Sequence, residues 1–335
     1  MKRGYEKLNE EFKNKLLQEK SVPPLYYKLS DYGYNNKGKD RVLSGISELD
    51  YLTSGFEMGC ITIWTGQTNS GKTTLMTMLV KKSIEQGEKV FFFNGEQTKD
   101  DFKNNLYKQS VNRKDIYSVQ YKNSRVFDTY VADREVERLN KLYGENLFIY
   151  NNKIERSVDF LLTAMEEVRI KNKVRVFILD NFMQIETQSS DEYREQKDIM
   201  EKLRTFAVNK NIHIHLVAHP RKMEKFQARL SIYDVLGSSN LVNKAYNVIS
   251  IIRVDNLNHE TTEYKQLAEQ MIRSRYDITQ ASSVLEVLKT KGVACGFVGL
   301  IYDPITKTFE EQANMTDIQA AKIEKQIKSG EESPF

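Results

Sequence analysis

The stretch GQTNSGKTT, Gly66–Thr74, decides how this chain is read. It has the form Gly66-x-x-x-x-Gly71-Lys72-Thr73. An apolar run, CITIWT (60–65), precedes it, and a helical pattern over 72–86 follows it. A strand, a glycine-rich turn and a helix in that order make a phosphate-binding loop. Glycines let the backbone approach a polyanion, and the helix N-terminus adds unpaired N–H groups and a positive dipole end. The pattern predicts ATP with Mg²⁺. Gly66, Asn69, Ser70, Gly71 and Thr74 belong to the cradle, and the amides of 69–72 face the β-phosphate. Lys72 reaches the β- and γ-phosphates, and the Thr73 hydroxyl ligates Mg²⁺.

Outward from the loop, apolar strand-like runs alternate with helical patterns. The runs are KVFFFN (89–94), VRVFILD (174–180), HIHLVA (213–218) and NVISIIRV (247–254). Helical patterns cover 155–172 and 191–210, the first with Val158, Leu161, Leu162, Met165 and Val168 on one face. Continuous apolar strands alternating with helices predict an α/β fold around a mostly parallel central sheet. Three later runs, SVLEVLK (283–289), FVGLIYD (297–303) and KTFEE (307–311), look like hairpins, so that edge is expected to be antiparallel. Residues 1–40 divide into an amphipathic helix over 5–19 and a Pro, Gly and Tyr-rich connector; 41–312 form the ATPase domain; 313–335 read as a polar tail. The polar segment 255–282 receives no assignment.

The 335 residues carry 50 Lys and Arg against 46 Asp and Glu, a formal charge of +4, which permits a nucleic-acid partner without requiring one. There is no apolar run long enough for a membrane span and no secretory leader pattern at the start. Cys60 and Cys295 sit in apolar runs and read as buried free thiols, which points to the cytoplasm. The cysteines and histidines lack zinc-ligand spacing.

In an open α/β sheet the rest of a nucleotide site lies at the carboxyl ends of the strands. Asp180 closes VFILD and suits the acidic residue that holds Mg²⁺ through water. Glu96 follows the second strand in FNGEQT, where a carboxylate can deprotonate the attacking water. His219 follows the fourth strand in LVAHPRK, where it can contact the γ-phosphate. The NKxD base motif of switch GTPases is missing.

Four segments carry a family resemblance: RVLSGISELDYLTSGFEMGCITIWTGQTNSGKTT, FNGEQ, VFILDNFMQIE, and HIHLVAHPRKMEKFQARLSIYDVLGSSNLVNKAYNVISII. The chain resembles the hexameric replicative helicases of the DnaB superfamily on a RecA-like core, closest in look to the Twinkle branch and to phage primase–helicases. The resemblance spans roughly residues 40–311 and implies an ATP-dependent DNA helicase in replication. It further implies a homo-oligomeric ring, a hexamer, encircling single-stranded DNA and moving 5′ to 3′, with a separate primase or loader as partner. In that family a basic finger from a neighbouring subunit completes the site through a Lys-x-Arg pattern. Here Lys289 takes the first place and Lys291 the finger place, so a point charge replaces a planar fork. Tyr302 matches a position that packs on adenine, or is plain core. The resemblance assigns DNA contact to two loops, about 182–195 and about 221–236. The second holds Arg221, Lys222, Lys225 and Arg229, with Phe226 among them. The helix at 5–19 corresponds to a linker helix that packs on the adjacent subunit. With no toprim-like or zinc-ribbon primase sequence before residue 40, the chain is expected not to prime. Two other readings share the same loop: a recombinase that forms an open filament on DNA, and a regulatory or scaffolding ATPase without unwinding.

Overall fold

The computed structural model describes residues 28–29, 38–122, 125, 127–187, 192–221, 229–235, 242–316, 319 and 323. The helix expected over 5–19 lies outside them, as do Lys222, Lys225, Phe226 and most of the tail. The chain divides at Asp40 into two units, and the unit from Arg41 onward carries the fold.

A short ribbon, β1 (Arg41–Val42) with β2 (Phe56–Glu57), flanks helix α1 (Ser47–Thr53). Strand β3 (Ile61–Gly66) runs into α2 (Lys72–Glu85), and β4 (Val90–Asn94) into α3 (Lys99–Lys108). The hairpin β5 (Ile116–Gln120) and β6 (Phe127–Val131) follows, then α4 (Asp133–Gly144), β7 (Leu147–Ile149) and α5 (Val158–Asn172). Next come β8 (Val176–Asp180), α6 (Glu192–Lys210), β9 (His213–Val217), β10 (Asn247–Arg253) and α7 (Thr262–Arg273). The chain closes with β11 (Ser283–Lys289), β12 (Phe297–Asp303) and β13 (Thr308–Glu311).

The main sheet has nine strands in the order β13-β12-β11-β10-β3-β9-β8-β4-β7. From β10 to β7 every pairing is parallel; from β10 to β13 every pairing is antiparallel. This matches the architecture expected from the sequence. Side chains alternate across each strand, so an unbroken apolar run feeds two cores. Phe92 and Trp64 join the core that takes α2, α3, α4 and α7, while Phe91, Phe93, Ile61 and Ile63 join the core that takes α5 and α6.

Three features differ from the sequence reading. The edge strand β7 and the hairpin β5–β6 lie in a segment too polar to stand out by periodicity. Tyr117, Val119, Tyr121 and Tyr130 of that hairpin region are exposed. The unassigned segment 255–282 contains α7, whose Leu267, Ala268 and Met271 are fully buried, and Tyr276, whose hydroxyl donates to Glu311 Oε1 at 2.9 Å. Its apolar face is only five residues wide within a polar composition, which masked the helix. Cys60 is half-buried and Cys295 exposed, which corrects the expectation of two buried thiols. Cys295 lies in the short loop between β11 and β12, where an apolar neighbourhood in sequence does not mean burial.

Candidate functional site

The loop after β3 is shaped by its glycines. Gly71 has φ +99°, and a Cβ there would stand 2.7 Å from Phe309 Cζ. Only glycine combines that conformation with that approach. Helix α2 opens at Gly71 with no side-chain cap, so its N-terminal N–H groups are offered to an anion. Ser70 Oγ is buried without a protein partner. Lys72 folds back on the loop, its Nζ donating to Gly66 O and Gln67 O, each at 2.8 Å. Burial pulls its ammonium down to about 8, against the opposing charges of Asp180 and Glu96.

The parallel register of β4 and β8 sets Asn94 beside Asp180. Gly95 N donates to Asp180 O at 2.7 Å, and a Cβ on Gly95 would stand 2.4 Å from Gln184 Cγ. The absence of a side chain there lets the two strand ends meet. Asn94 then closes the turn: its Nδ2 donates to Gln97 O and its Oδ1 accepts from Gln97 N, both at 3.0 Å. Thr98 caps α3 by accepting from Asp101 N. Glu96 is thereby held in a short, doubly closed turn at the strand ends.

Asp180 is 3% exposed. Burial pushes its carboxyl up to about 6, while the Thr73 hydroxyl donates to it and Lys72 and His219 favour its charge. The residue after it, Asn181, is 1% exposed and was missed by sequence reasoning. Its Nδ2 donates to Glu96 Oε1 and lies 2.9 Å from His219 Nε2. Its Oδ1 accepts from Met183 N at 2.9 Å, which orients the amide. His219 Nε2 in turn stands 3.2 Å from Glu96 Oε1. The signal was present in the sequence: a polar residue directly after an apolar strand that ends in Asp.

Lys72, Thr73, Asp180, Glu96 and His219 are therefore brought together at the carboxyl ends of β3, β4, β8 and β9. A hydroxyl and a buried carboxylate side by side are hard oxygen donors, the set that suits Mg²⁺ with waters and phosphates completing its shell. The uncapped helix and the unpartnered Ser70 hydroxyl fit a polyphosphate beside it.

The family model for the DnaB-like helicase C terminal domain matches residues 42–311. The chain belongs to that family. A curated relative, the Twinkle homolog protein, chloroplastic/mitochondrial, of Arabidopsis thaliana, is 22% identical over 241 residues, covering 70% of this chain and 33% of the relative. The chain thus spans about a third of that relative's length. In fold it is similar to a DnaB-like replicative helicase whose structure was described with its interactions with primase (TM-score 0.63, 17% identity, 82% of this chain and 62% of that one). It is also similar to a KaiC-like protein of Pyrococcus horikoshii (TM-score 0.54, 17% identity, 82% of this chain and 100% of that one). The fold of this DnaB-family chain is RecA-like. Among the described residues no helix is long and apolar enough to cross a membrane.

The remaining expected residues sit elsewhere. Lys289 Nζ donates to Val242 O at 2.7 Å and Asn243 O at 3.2 Å. Lys291 is exposed, its Nζ 5.7 Å from the Tyr246 ring centroid. Its loop is fastened to the end of α1 by Val293 N donating to Leu52 O at 2.8 Å. Tyr302 is half-buried and packs on Phe309 at 5.2 Å between centroids, and it lines a cavity shared with Thr73 and Thr74. The loop after His219 is closed at its base by a bridge between Pro220 and Val235. Arg221 pairs with Asp234 at 3.2 Å. Arg229 is turned inward: it forks onto the buried Glu286 at 2.8 and 3.1 Å and lies over the Phe297 ring. Arg229, which the resemblance assigned to DNA contact, serves an internal ion pair in this chain.

Proposed function

We propose that this chain hydrolyses ATP with Mg²⁺ as one subunit of a ring, and that the cycle moves single-stranded DNA 5′ to 3′ through the ring to unwind duplex during replication. The observation that supports this most is the convergence of Lys72, Thr73, Asp180, Glu96 and His219 at four neighbouring strand ends.

Lys72 leaves the loop carbonyls for the β- and γ-phosphates, the exchange that its buried, counter-charged setting favours. Thr73 and Asp180 hold Mg²⁺, which when bound neutralises charge on the phosphate oxygens. Glu96 takes the proton of the attacking water. Asn181 holds that carboxylate and reaches His219 with the same amide. His219 meets the γ-phosphate and passes its loss to the loop that begins at Pro220. Arg221, Lys222 and Lys225 bring positive charge to the DNA backbone from that loop, and six such loops would line a channel densely. Lys291 reaches a neighbouring subunit's phosphate as a point charge.

A second reading, a RecA-fold ATPase that assembles or regulates partners, is favoured by the lysine at the finger position. The steady-state ATPase rate with and without single-stranded DNA separates the two. The motor reading predicts a rate that rises with DNA, vanishes in Lys72→Ala and Glu96→Gln, and falls at least about tenfold in Lys291→Ala. Glu96→Gln should still bind ATP. A rate indifferent to both DNA and Lys291 favours assembly over unwinding, and retained turnover in Glu96→Gln overturns the site assignment.

A further inference from the structure

The hairpin β5–β6 takes no part in the nucleotide site and carries an aromatic face of its own. Its base is anchored. Ile116 packs on the core, Val131 is buried, Ala132 N donates to Asp115 O at 2.9 Å, and Arg134 pairs with Asp115. Ile116 and Val131 stand opposite each other in the register, so they mark one face of the ribbon as the attached one. Side chains alternate along a strand, which sends Tyr117, Val119 and, just past the strand end, Tyr121 to the other face. Tyr130 lies directly opposite Tyr117, with ring centroids 5.9 Å apart. These four side chains are each between 44% and 50% exposed. Contiguous exposed rings of this kind mark an interaction site.

The charges around the rings say what fits them. Arg113 and Lys114 are exposed at the base of the ribbon, and Lys122 and Arg125 near its tip. Lys122 Nζ stands 5.1 Å from the Tyr121 ring centroid, which places a cation beside that ring. The acids nearby are engaged within the protein. Asp115 is tied to Arg134, Asp128 acts on the buried Lys108, and Asp133 sits in the first turn of α4, where it answers the helix dipole. We propose that the exposed face of β5–β6 is a second binding surface for single-stranded nucleic acid, on which Tyr117, Tyr130 and Tyr121 stack unpaired bases while Lys122, Arg125, Arg113 and Lys114 meet the phosphates. An antiparallel ribbon holds its rings at fixed spacing, and every base has a face to offer them, so the surface takes single strands without regard to sequence. An apolar protein partner would leave the cations at both ends unanswered. This surface is separate from the loop after His219 and does not depend on the reading of the nucleotide site.

The test is photochemical crosslinking and equilibrium binding of an iododeoxyuridine-substituted oligothymidylate to the full chain. Wild type should crosslink at the hairpin tyrosines. So should the triple variant Arg221→Ala, Lys222→Ala and Lys225→Ala, whose loop after His219 has lost those cations. In that background, adding Tyr117→Ala with Tyr130→Ala should weaken binding at least about tenfold, and adding Tyr117→Phe with Tyr130→Phe should keep it within about twofold, because the ring faces remain. Adding Lys122→Ala with Arg125→Ala instead should lower the slope of log affinity against log salt by about one. The tyrosine variants should keep the basal ATPase rate measured without DNA, which reports an intact fold. No crosslink at the hairpin, its loss in the loop variant, or full affinity in the alanine pair overturns the proposal. Tyrosine variants that alter the oligomeric state and keep DNA affinity would assign the ribbon to a contact between copies, which overturns it as well.

Discussion

Asn181 offers one amide to two neighbours. It donates to Glu96 Oε1 and meets His219 Nε2, and Met183 N holds its oxygen in place. Asn181→Leu keeps the volume and removes the donor. The carboxylate then loses its fixed orientation while the phosphate loop is untouched. We expect kcat to fall about tenfold to a hundredfold, with ATP affinity within about twofold of wild type. The double variant with His219→Ala separates positioning from general damage. Residues acting as one unit are non-additive, so its rate should fall little below the worse single variant. A strictly additive double variant would mean that the two side chains work independently.

At the scale of elements, Arg229 shows how a loop residue becomes part of the body. Its guanidinium is spent on Glu286, a buried carboxylate of β11, and its backbone N–H donates to Glu263 Oε1 of α7. Removing one partner of such a pair leaves an uncompensated buried charge. Arg229→Ala should therefore destabilise the protein by about 3 kcal/mol, while Arg221→Ala, whose pairing is exposed, should cost within about 1 kcal/mol. Chemical denaturation of the two variants checks this. Adding Glu286→Gln to Arg229→Ala should recover most of the loss. An unshifted midpoint in Arg229→Ala would return this residue to the group free to meet DNA.

Across the whole molecule, stability should fall on the acid side of neutrality because of two histidines in β9. His213 and His215 are fully enclosed; Trp64 Nε1 donates to His215 Nδ1 at 3.2 Å, and His213 Nδ1 lies 2.7 Å from Glu57 O. Burial holds His213 down at about 4 and His215 well below its ordinary value, with the nearby His213 lowering it further. The unfolded chain binds these protons from about 6.5 downward and the folded chain does not, so stability is lost as pH falls from about 6.5 toward 4. Asp180 works the other way. Its folded value of about 6 lies above the unfolded value of 3.8, so it favours the fold as pH falls through that window. Two histidines outweigh one carboxyl, and the urea midpoint should drop between pH 7 and pH 5. Asp180→Asn should steepen that drop by removing the opposing contribution, and a flat midpoint in wild type would contradict the account.

The local sequence determined a good deal of this protein. The central strands β3, β4, β8, β9 and β10 show because each is a mostly apolar run buried on both faces. The loop shows because glycine, lysine and threonine at fixed spacing have few other uses between a strand and a helix. Asp180 shows because it closes a strand, and Glu96 and His219 because they stand just past strand ends. Only the tertiary structure could decide the rest. Asn181 gains meaning from residues 85 and 38 positions away, and Arg229 from a carboxylate 57 positions away. Strand identity follows from the hydrophobicity of a few consecutive residues. A hydrogen-bond partner follows from which strands lie side by side and in what register, which no single segment specifies.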